Sequence, residues 1–205
     1  GGDGQLGFAL KRVFAPAGEV LAGDLPDLDI TSRRDISVAM REFRPDVVIH
    51  AASMTNVDGC ETNRAKAFLV NETGSRIVAE ECREAGAMLV AVSTDFVFDG
   101  RKKEPYKEDD SPAPLSVYGE SKLAGERAVL EEMPGAVIAR TAWVYGAGGT
   151  GNFVRSIVSA ARSGKTMRVV DDQVGSPTLT DDLAAAIYTL VERKGRGVYH
   201  VANEG

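Results

Sequence analysis

Cysteine, tryptophan and long apolar runs are scarce in this sequence, and acidic residues outnumber basic ones. Only Cys60 and Cys82 occur among 205 residues, which is too few for a disulfide framework and lacks the paired spacing of a zinc site. A net charge of −6 argues against nucleic acid, which requires a basic face. No apolar run approaches the roughly 20 residues that span a bilayer, and the amino terminus lacks a signal-peptide pattern. We therefore expect a cytoplasmic protein with a small-molecule partner, no nucleic acid, no membrane contact and no metal.

Both ends of the sequence lie inside patterns that normally continue. A glycine cluster, Gly1-Gly2-Asp3-Gly4-Gln5-Leu6-Gly7, opens the chain, and such a loop ordinarily follows a buried strand. The last residues, 198–205, are typical of a strand running into a loop. We expect further residues at both ends, including the first strand.

Short apolar runs alternate with longer amphipathic stretches, which indicates βαβ units. The predicted strands are 47–50, 88–92, 136–139 and 167–170, with a weaker one at 19–21. The predicted helices are 6–14, 32–43, 64–85, 118–132, 152–163 and 180–193. A charged loop at 99–114 is either a solvated surface or a cover over a site. The order of elements predicts an α/β fold with a doubly wound parallel sheet.

The glycine cluster indicates a phosphate site at a helix start. Gly1, Gly4 and Gly7 are three residues apart and lead into the first predicted helix, so the backbone could approach a pyrophosphate closely. A glycine-rich turn without a ligand is the alternative. Asp24 and Asp29 are candidates for the ribose diol of a bound dinucleotide, and each is alternatively a turn or cap residue.

Three residues in chain order indicate a carbonyl-reducing site. Tyr118 and Lys122 are four apart at a helix start, so both lie on one helical face, where an ammonium can favour the phenolate. Thr94 ends an apolar strand, and ligands of open parallel sheets bind beyond such ends. Each residue alone is more simply a surface or turn residue. Their order on neighbouring elements favours a shared catalytic site.

The sequence resembles the extended short-chain dehydrogenase/reductase family and, within it, the dTDP-4-dehydrorhamnose reductases. The motifs that carry this resemblance are distributed over nearly the whole chain. They are Gly4-Gln5-Leu6-Gly7, Asp29-Ile30, the run 44–52, the run 55–58, Val70-Asn71, Ser93-Thr94-Asp95-Phe96-Val97-Phe98-Asp99-Gly100, Tyr118-Gly119-Glu120-Ser121-Lys122, the run 140–145 and Asp172-Gln173-Val174-Gly175-Ser176-Pro177-Thr178. The resemblance implies a Rossmann-like fold with a small carboxy-terminal substrate lobe that is only partly present. We assign residues 1–145 to a dinucleotide-binding domain and 146–205 to the end of its sheet plus part of that lobe.

The resemblance also implies roles for individual residues. The implied catalytic residues are Thr94, Tyr118 and Lys122. The implied contacts of the cofactor, NADPH or NADH, are Gly4, Gln5, Leu6, Asp29, Ile30, Ala51, Ala52, Asn71, Ser93, Tyr118, Lys122 and Tyr145. The implied contacts of the hexose are Thr55, Val57, Asp95, Phe96 and Trp143, with residues 173–178 on the same side.

The implied reaction is reduction of the 4-keto group of dTDP-4-dehydro-L-rhamnose to dTDP-L-rhamnose. A related sugar-nucleotide 4-epimerase or 4,6-dehydratase is an alternative, although the glutamate typical of dehydratases does not follow Thr94-Asp95. A second alternative is a non-catalytic subunit resembling the beta subunit of methionine adenosyltransferase. The expected partner is a nucleotide sugar, and a homodimer is a possible assembly. The choice between NADH and NADPH stays open.

Overall fold

The fold is a parallel sheet between two layers of helices. The computed structural model describes residues 1–149, 152–164 and 166–204. Its strands are β1 (Val47–His50), β2 (Met88–Thr94), β3 (Val137–Thr141), β4 (Val144–Tyr145), β5 (Thr178–Leu179) and β6 (Gly197–His200). The main sheet has the order β1-β2-β3-β6 with every pair parallel, and β4 pairs with β5 in a separate parallel ribbon.

Eight α-helices accompany these strands within the described residues. They are α1 (Gln5–Phe14), α2 (Arg33–Phe43), α3 (Val57–Thr62), α4 (Arg64–Phe68), α5 (Ser75–Ala85), α6 (Val117–Glu132), α7 (Phe153–Arg162) and α8 (Thr180–Glu192). A π-helical turn, Leu69–Gly74, joins α4 to α5, and a single 3-10 turn, Asp95–Val97, follows β2.

Alternate residues of each strand face opposite helix layers. Leu89 and Ile138 pack with α2, α5 and α6 on one face, whereas Val90 and Val137 pack with α1 and α8 on the other. Because both faces are covered, all five residues of β3 are buried, as expected for a continuous apolar run in a parallel sheet. The predicted α/β class and doubly wound arrangement are confirmed.

Most predicted elements are present with small boundary shifts. The strands at 47–50, 88–92 and 136–139 correspond to β1, β2 and β3, and the strand expected after residue 197 is β6. Helix starts follow local capping chemistry, since the Ser32, Ser116 and Asn152 side chains each accept a backbone N–H from the first turn. The predicted helix at 64–85 is interrupted by the π-helical turn, and α3 was not predicted.

Two predicted strands are wrong. Residues 19–21 form no ladder in the described part of the chain, where β1 pairs with β2 alone. Residues 167–170 also form no strand; Met167, Val169 and Val170 are at least 40% exposed, so no neighbouring element covers them. Apolar β-branched residues favour a strand only where a backbone partner is available.

Helix α6 approaches the π-helical turn very closely at Gly125. A Cβ built on Gly125 would lie 2.1 Å from the backbone oxygen of Asn71, a separation that no side chain tolerates. Glycine is therefore needed at this position for helix packing, although glycine is a weak helix former.

We predict that Gly125→Ala destabilises the protein by about 1–3 kcal/mol, because α6 must move away from Asn71. Urea unfolding followed by circular dichroism measures the change. The matched control is Gly135→Ala, where an added Cβ meets no atom within 4 Å and should be neutral. Equal stability of the two variants would contradict the packing argument.

Candidate active site

Thr94 and Tyr118 meet where β2 ends and α6 begins. The Thr94 hydroxyl donates to Asp95 Oδ1 at 3.1 Å and accepts the Phe96 backbone N–H at 3.2 Å, and it lies near enough to the Tyr118 phenol to lower the pKa of that group. The Phe96 ring lies edge-on to the Tyr118 ring, with 5.5 Å between centroids. Two elements from separate parts of the chain thus bring a hydroxyl and a phenol into contact at the carboxyl edge of the sheet.

Burial controls the protonation of Tyr118. It raises the pKa of the phenol to about 12, the Thr94 hydrogen bond opposes that rise, and Asp95 and Cys60 add to it. The phenol therefore carries its proton at neutral pH, which is the form needed to donate a proton to a substrate oxygen.

Lys122 is buried one helical turn after Tyr118. Its Nζ donates to the Val92 backbone oxygen at 2.8 Å, just beyond the last residue pair of the β1–β2 ladder. Burial lowers the pKa of this ammonium to about 8, and Glu126 opposes the change. We expected the lysine to lower the pKa of the tyrosine; in this structure the groups acting on the phenol are instead Thr94, Asp95 and Cys60.

His50 ends β1 behind Lys122. Its Nε2 lies 3.0 Å from Ser75 Oγ, and because that hydroxyl donates to the Asn71 backbone oxygen at 2.7 Å, the ring nitrogen is the donor to Ser75. Burial lowers the pKa of His50 to about 3, with smaller contributions from Lys122 and the amino terminus. The imidazole is therefore neutral beside the lysine.

Asn71 connects the loop after β1 to α6. Its Oδ1 accepts Ser53 Oγ–H at 2.9 Å and Met54 N–H at 2.8 Å, while its Nδ2 donates to Met54 O and to Ser121 Oγ. All the bonding capacity of this buried amide is used within the protein. Asn71 thus positions the loop that contains Ala51 and Ala52.

The glycine loop packs tightly against the start of α1. A Cβ on Gly7 would lie 2.4 Å from the Gly1 oxygen, and one on Gly1 would lie 2.6 Å from Ala51 and Ala52 backbone atoms. Gly4 caps α1 without a side-chain hydrogen bond, so the first-turn amides have no side-chain acceptor from the cap. Gln5 Oε1 accepts Asn152 Nδ2–H at 2.9 Å, and Leu6 is part of the core.

The aspartates expected near a ribose make local bonds. The Asp29 carboxylate accepts both the N–H and the hydroxyl of Thr31 at 2.8 Å, and Ile30 packs beside the π-helical turn. Asp24 accepts the backbone N–H groups of Asp3 and Leu25. Asp24 therefore ties the glycine loop to the chain around residue 24, as a turn residue does.

The expected hexose contacts are distributed over two regions. Asp95 and Phe96 adjoin Tyr118, Val57 begins α3, and Thr55 is exposed in the loop before it. Trp143 is 41% exposed with a φ of 46°, a strained conformation for a bulky residue. Its ring lies against Gly175, so it contacts the expected substrate-side segment 173–178. Tyr145 is half-buried in β4.

Ser93, an expected cofactor contact, is a buried residue of β2. Its hydroxyl donates to Glu126, which also binds Arg140 through two nitrogens at 2.9 and 2.7 Å. The role of Glu126 was missed by our sequence reasoning. The available signal was its spacing, since Tyr118, Lys122 and Glu126 repeat every four residues along one helix.

Two features, a metal-ion cluster and a membrane-spanning helix, are absent from the described ranges. Among residues 1–149, 152–164 and 166–204, no cluster of three or more His, Cys, Asp or Glu side chains is arranged to hold a metal ion. In the same ranges no helix combines the length and apolarity needed to cross a membrane.

A family profile described as the RmlD substrate binding domain matches residues 1–205. The chain belongs to this family. It is 47% identical to a dTDP-4-dehydrorhamnose reductase of Mycobacterium tuberculosis, over 100% of this chain and 69% of that protein. It is 41% identical to the spore coat polysaccharide biosynthesis protein SpsK of Bacillus subtilis, over 100% of this chain and 72% of the relative.

A solved structure has the same fold as this family member. The crystal structure of dTDP-4-dehydrorhamnose reductase from Bacillus anthracis, in complex with NADP, superposes with a TM-score of 0.96 at 40% identity. The match covers 100% of this chain and 73% of the solved chain. The membership and the fold that the sequence motifs predicted are thereby confirmed.

We predict a histidine-dependent loss of stability in mild acid. His50 protonates near pH 6.5 when unfolded but only near pH 3 when folded, so below pH 6.5 protons favour the unfolded chain. Between pH 6.5 and 5 this costs about 1–2 kcal/mol. Urea unfolding should show that the free energy of unfolding depends less on pH in His50→Gln than in the unsubstituted protein. The carboxylates contribute equally to both proteins, so the difference between them reports His50. Identical slopes would refute the assignment.

Proposed function

We propose that this protein reduces the 4-keto group of dTDP-4-dehydro-L-rhamnose to dTDP-L-rhamnose, with NADPH or NADH as the reductant. The observation that carries the proposal is the half-buried Tyr118 phenol, which lies beside Thr94 at the end of β2 and is followed one turn later by buried Lys122. The proposal is supported by relatives of 47% and 40% identity that are named dTDP-4-dehydrorhamnose reductase, the second in complex with NADP.

The glycine loop has the chemistry to hold a dinucleotide. Its backbone is too close to Ala51 and to α1 for side chains, and the start of α1 presents amide groups that the Gly4 cap leaves without a side-chain acceptor. When bound, the nicotinamide supplies the hydride for carbonyl reduction. The residues proposed to line the cofactor site are Gly4, Gln5, Leu6, Asp29, Ile30, Ala51, Ala52, Asn71, Ser93, Tyr118, Lys122 and Tyr145.

Tyr118 and Thr94 act on the substrate oxygen. As that oxygen gains negative charge, the neutral phenol of Tyr118 donates its proton, and the Thr94 hydroxyl donates a hydrogen bond. The phenol is left as an anion, and the Lys122 ammonium lies one turn further along the same helix face. The same ammonium is suited to bind a ribose hydroxyl. The protonated tyrosine is therefore in the form that carbonyl reduction requires.

The sugar is proposed to lie between the 3-10 turn after β2 and the Trp143 region. Asp95 and Phe96 adjoin the phenol, and Thr55, Val57 and Trp143 complete the proposed hexose contacts. Residues 1–145 then form the dinucleotide-binding domain, and residues 146–205 add the last strand of the sheet and part of a substrate lobe. We propose a cytoplasmic site of action, and a homodimer stays a prediction.

Tyr118→Phe should lower kcat by about 10²–10⁴-fold, because the phenylalanine ring keeps the packing against Phe96 but has no proton to donate. The assay is NADPH or NADH oxidation at 340 nm with dTDP-4-dehydro-L-rhamnose. Tyr188→Phe is the matched control, since Tyr188 packs on Phe14 in a separate cluster. Cofactor binding without turnover in the unsubstituted protein would indicate a regulatory subunit or another sugar nucleotide.

Thr94→Val should lower kcat by about 10²–10³-fold with little change in fold, because valine keeps the volume and removes the hydrogen bond to the substrate oxygen. Thr94→Ser should keep most of the activity, since it retains the hydroxyl. The same assay measures both variants. Equal activity of the valine and serine variants would show that the hydroxyl has no role in the reaction.

A further inference from the structure

Glu126 is a buried carboxylate on the same helix face as the two proposed catalytic residues of α6. It follows Lys122 by one turn and Tyr118 by two, so all three point towards the sheet. Only 5% of the residue is exposed. A carboxylate in such a place requires a cationic or hydrogen-bonding partner.

The partners of Glu126 come from two neighbouring strands. Arg140 Nε donates to Glu126 Oε1 at 2.9 Å, a second guanidinium nitrogen donates to Oε2 at 2.7 Å, and Ser93 donates to Oε1. Ser93 and Arg140 are register partners on β2 and β3, so their side chains leave the same face of the sheet. Arg140 is itself 6% exposed and its guanidinium stacks on the Phe98 ring. The carboxylate is therefore held rigidly by a bidentate pair.

Glu126 and Lys122 line one small cavity between α6 and the sheet, together with His50, Ser75 and Ser93. The titratable groups around the lysine are Glu126 and Tyr118 on its own helix and His50 from β1, with Arg140 from β3 behind Glu126. His50 is neutral because burial lowers its pKa to about 3. Among these groups Glu126 supplies the negative charge near the ammonium at neutral pH.

A buried ion pair adds little stability compared with apolar residues of the same size. Its position beside the lysine suggests a second role. We propose that Glu126, fixed by Arg140 and Ser93, is a positioning residue that keeps Lys122 charged and directed at the Val92 carbonyl. This inference rests on the proposed function for its catalytic meaning, because the charged form of Lys122 is the one suited to bind a ribose hydroxyl of the cofactor.

The test measures Lys122 directly. Protein labelled with ¹³Cε-lysine is titrated by NMR, and Lys122→Gln identifies the signal. Burial already lowers the pKa of Lys122 to about 8, and Glu126 opposes that change. In Glu126→Gln we expect the pKa to fall below about 7, since the opposing charge is lost. Glu131→Gln is the matched control, because Glu131 is on the same helix but 67% exposed and paired with Arg76.

A second variant separates this role from folding. Glu126→Gln leaves the Arg140 guanidinium unpaired and could fail to fold, whereas Glu126→Gln combined with Arg140→Met removes both charges. If the pair only supports the fold, the double variant recovers both the stability and the Lys122 pKa. If Glu126 acts on the lysine, the double variant folds but its Lys122 pKa stays below that of the unsubstituted protein. A double variant whose Lys122 pKa equals that of the unsubstituted protein overturns the proposal.

Kinetics gives an independent readout. A fall of the Lys122 pKa from 8 to 7 reduces the charged fraction about fivefold at pH 8 but only by about a quarter at pH 6.5. In the double variant, kcat should therefore fall about fourfold more at pH 8 than at pH 6.5. A uniform loss at both pH values would contradict the inference. Absence of turnover in the unsubstituted protein, with the NMR shift intact, would instead refute the proposed function alone.

Discussion

An ammonium group enclosed between a helix and a sheet must find oxygen atoms for its protons, and much of this structure is arranged around that requirement at Lys122. The Val92 carbonyl is available because the β1–β2 ladder ends one residue earlier. Glu126 supplies the compensating charge, and a neutral His50 avoids a second cation. Burying the lysine costs free energy. In the low-dielectric interior, its charge interacts more strongly with neighbouring groups than it would in water.

A second constraint is the distance between α6 and the π-helical turn. Gly125 allows the helix to approach the Asn71 backbone, and the Asn71 side chain then bridges Ser121 and the loop after β1. The extra residue of the π-helical turn places this amide where an uninterrupted helix would not, in keeping with the frequent occurrence of such turns at functional sites. Helix α6 and the proposed cofactor loop are consequently held as one unit.

Sequence patterns predicted the regular parts of the fold well, for identifiable reasons. Strands β1, β2 and β3 are apolar because both faces are covered, and α2 and α7 begin at side chains that cap their first turns. The same patterns failed at 19–21 and 167–170, because a strand also needs a neighbour, and a neighbour is not encoded in the segment itself. The π-helical turn was missed because residues 64–85 keep a helical apolar period throughout.

The sequence by itself determined the alternation of elements, the family, and the candidates Thr94, Tyr118 and Lys122, because these depend on local spacing and on motifs that persist in a linear chain. Only the tertiary structure decided the pKa values and contacts of these residues. Burial raises the pKa of Tyr118, the β1–β2 register leaves the Val92 carbonyl to Lys122, and strands β2 and β3 bring Ser93 and Arg140 to Glu126. These effects arise from solvent exclusion and from contacts between residues far apart in the chain, which no local pattern records.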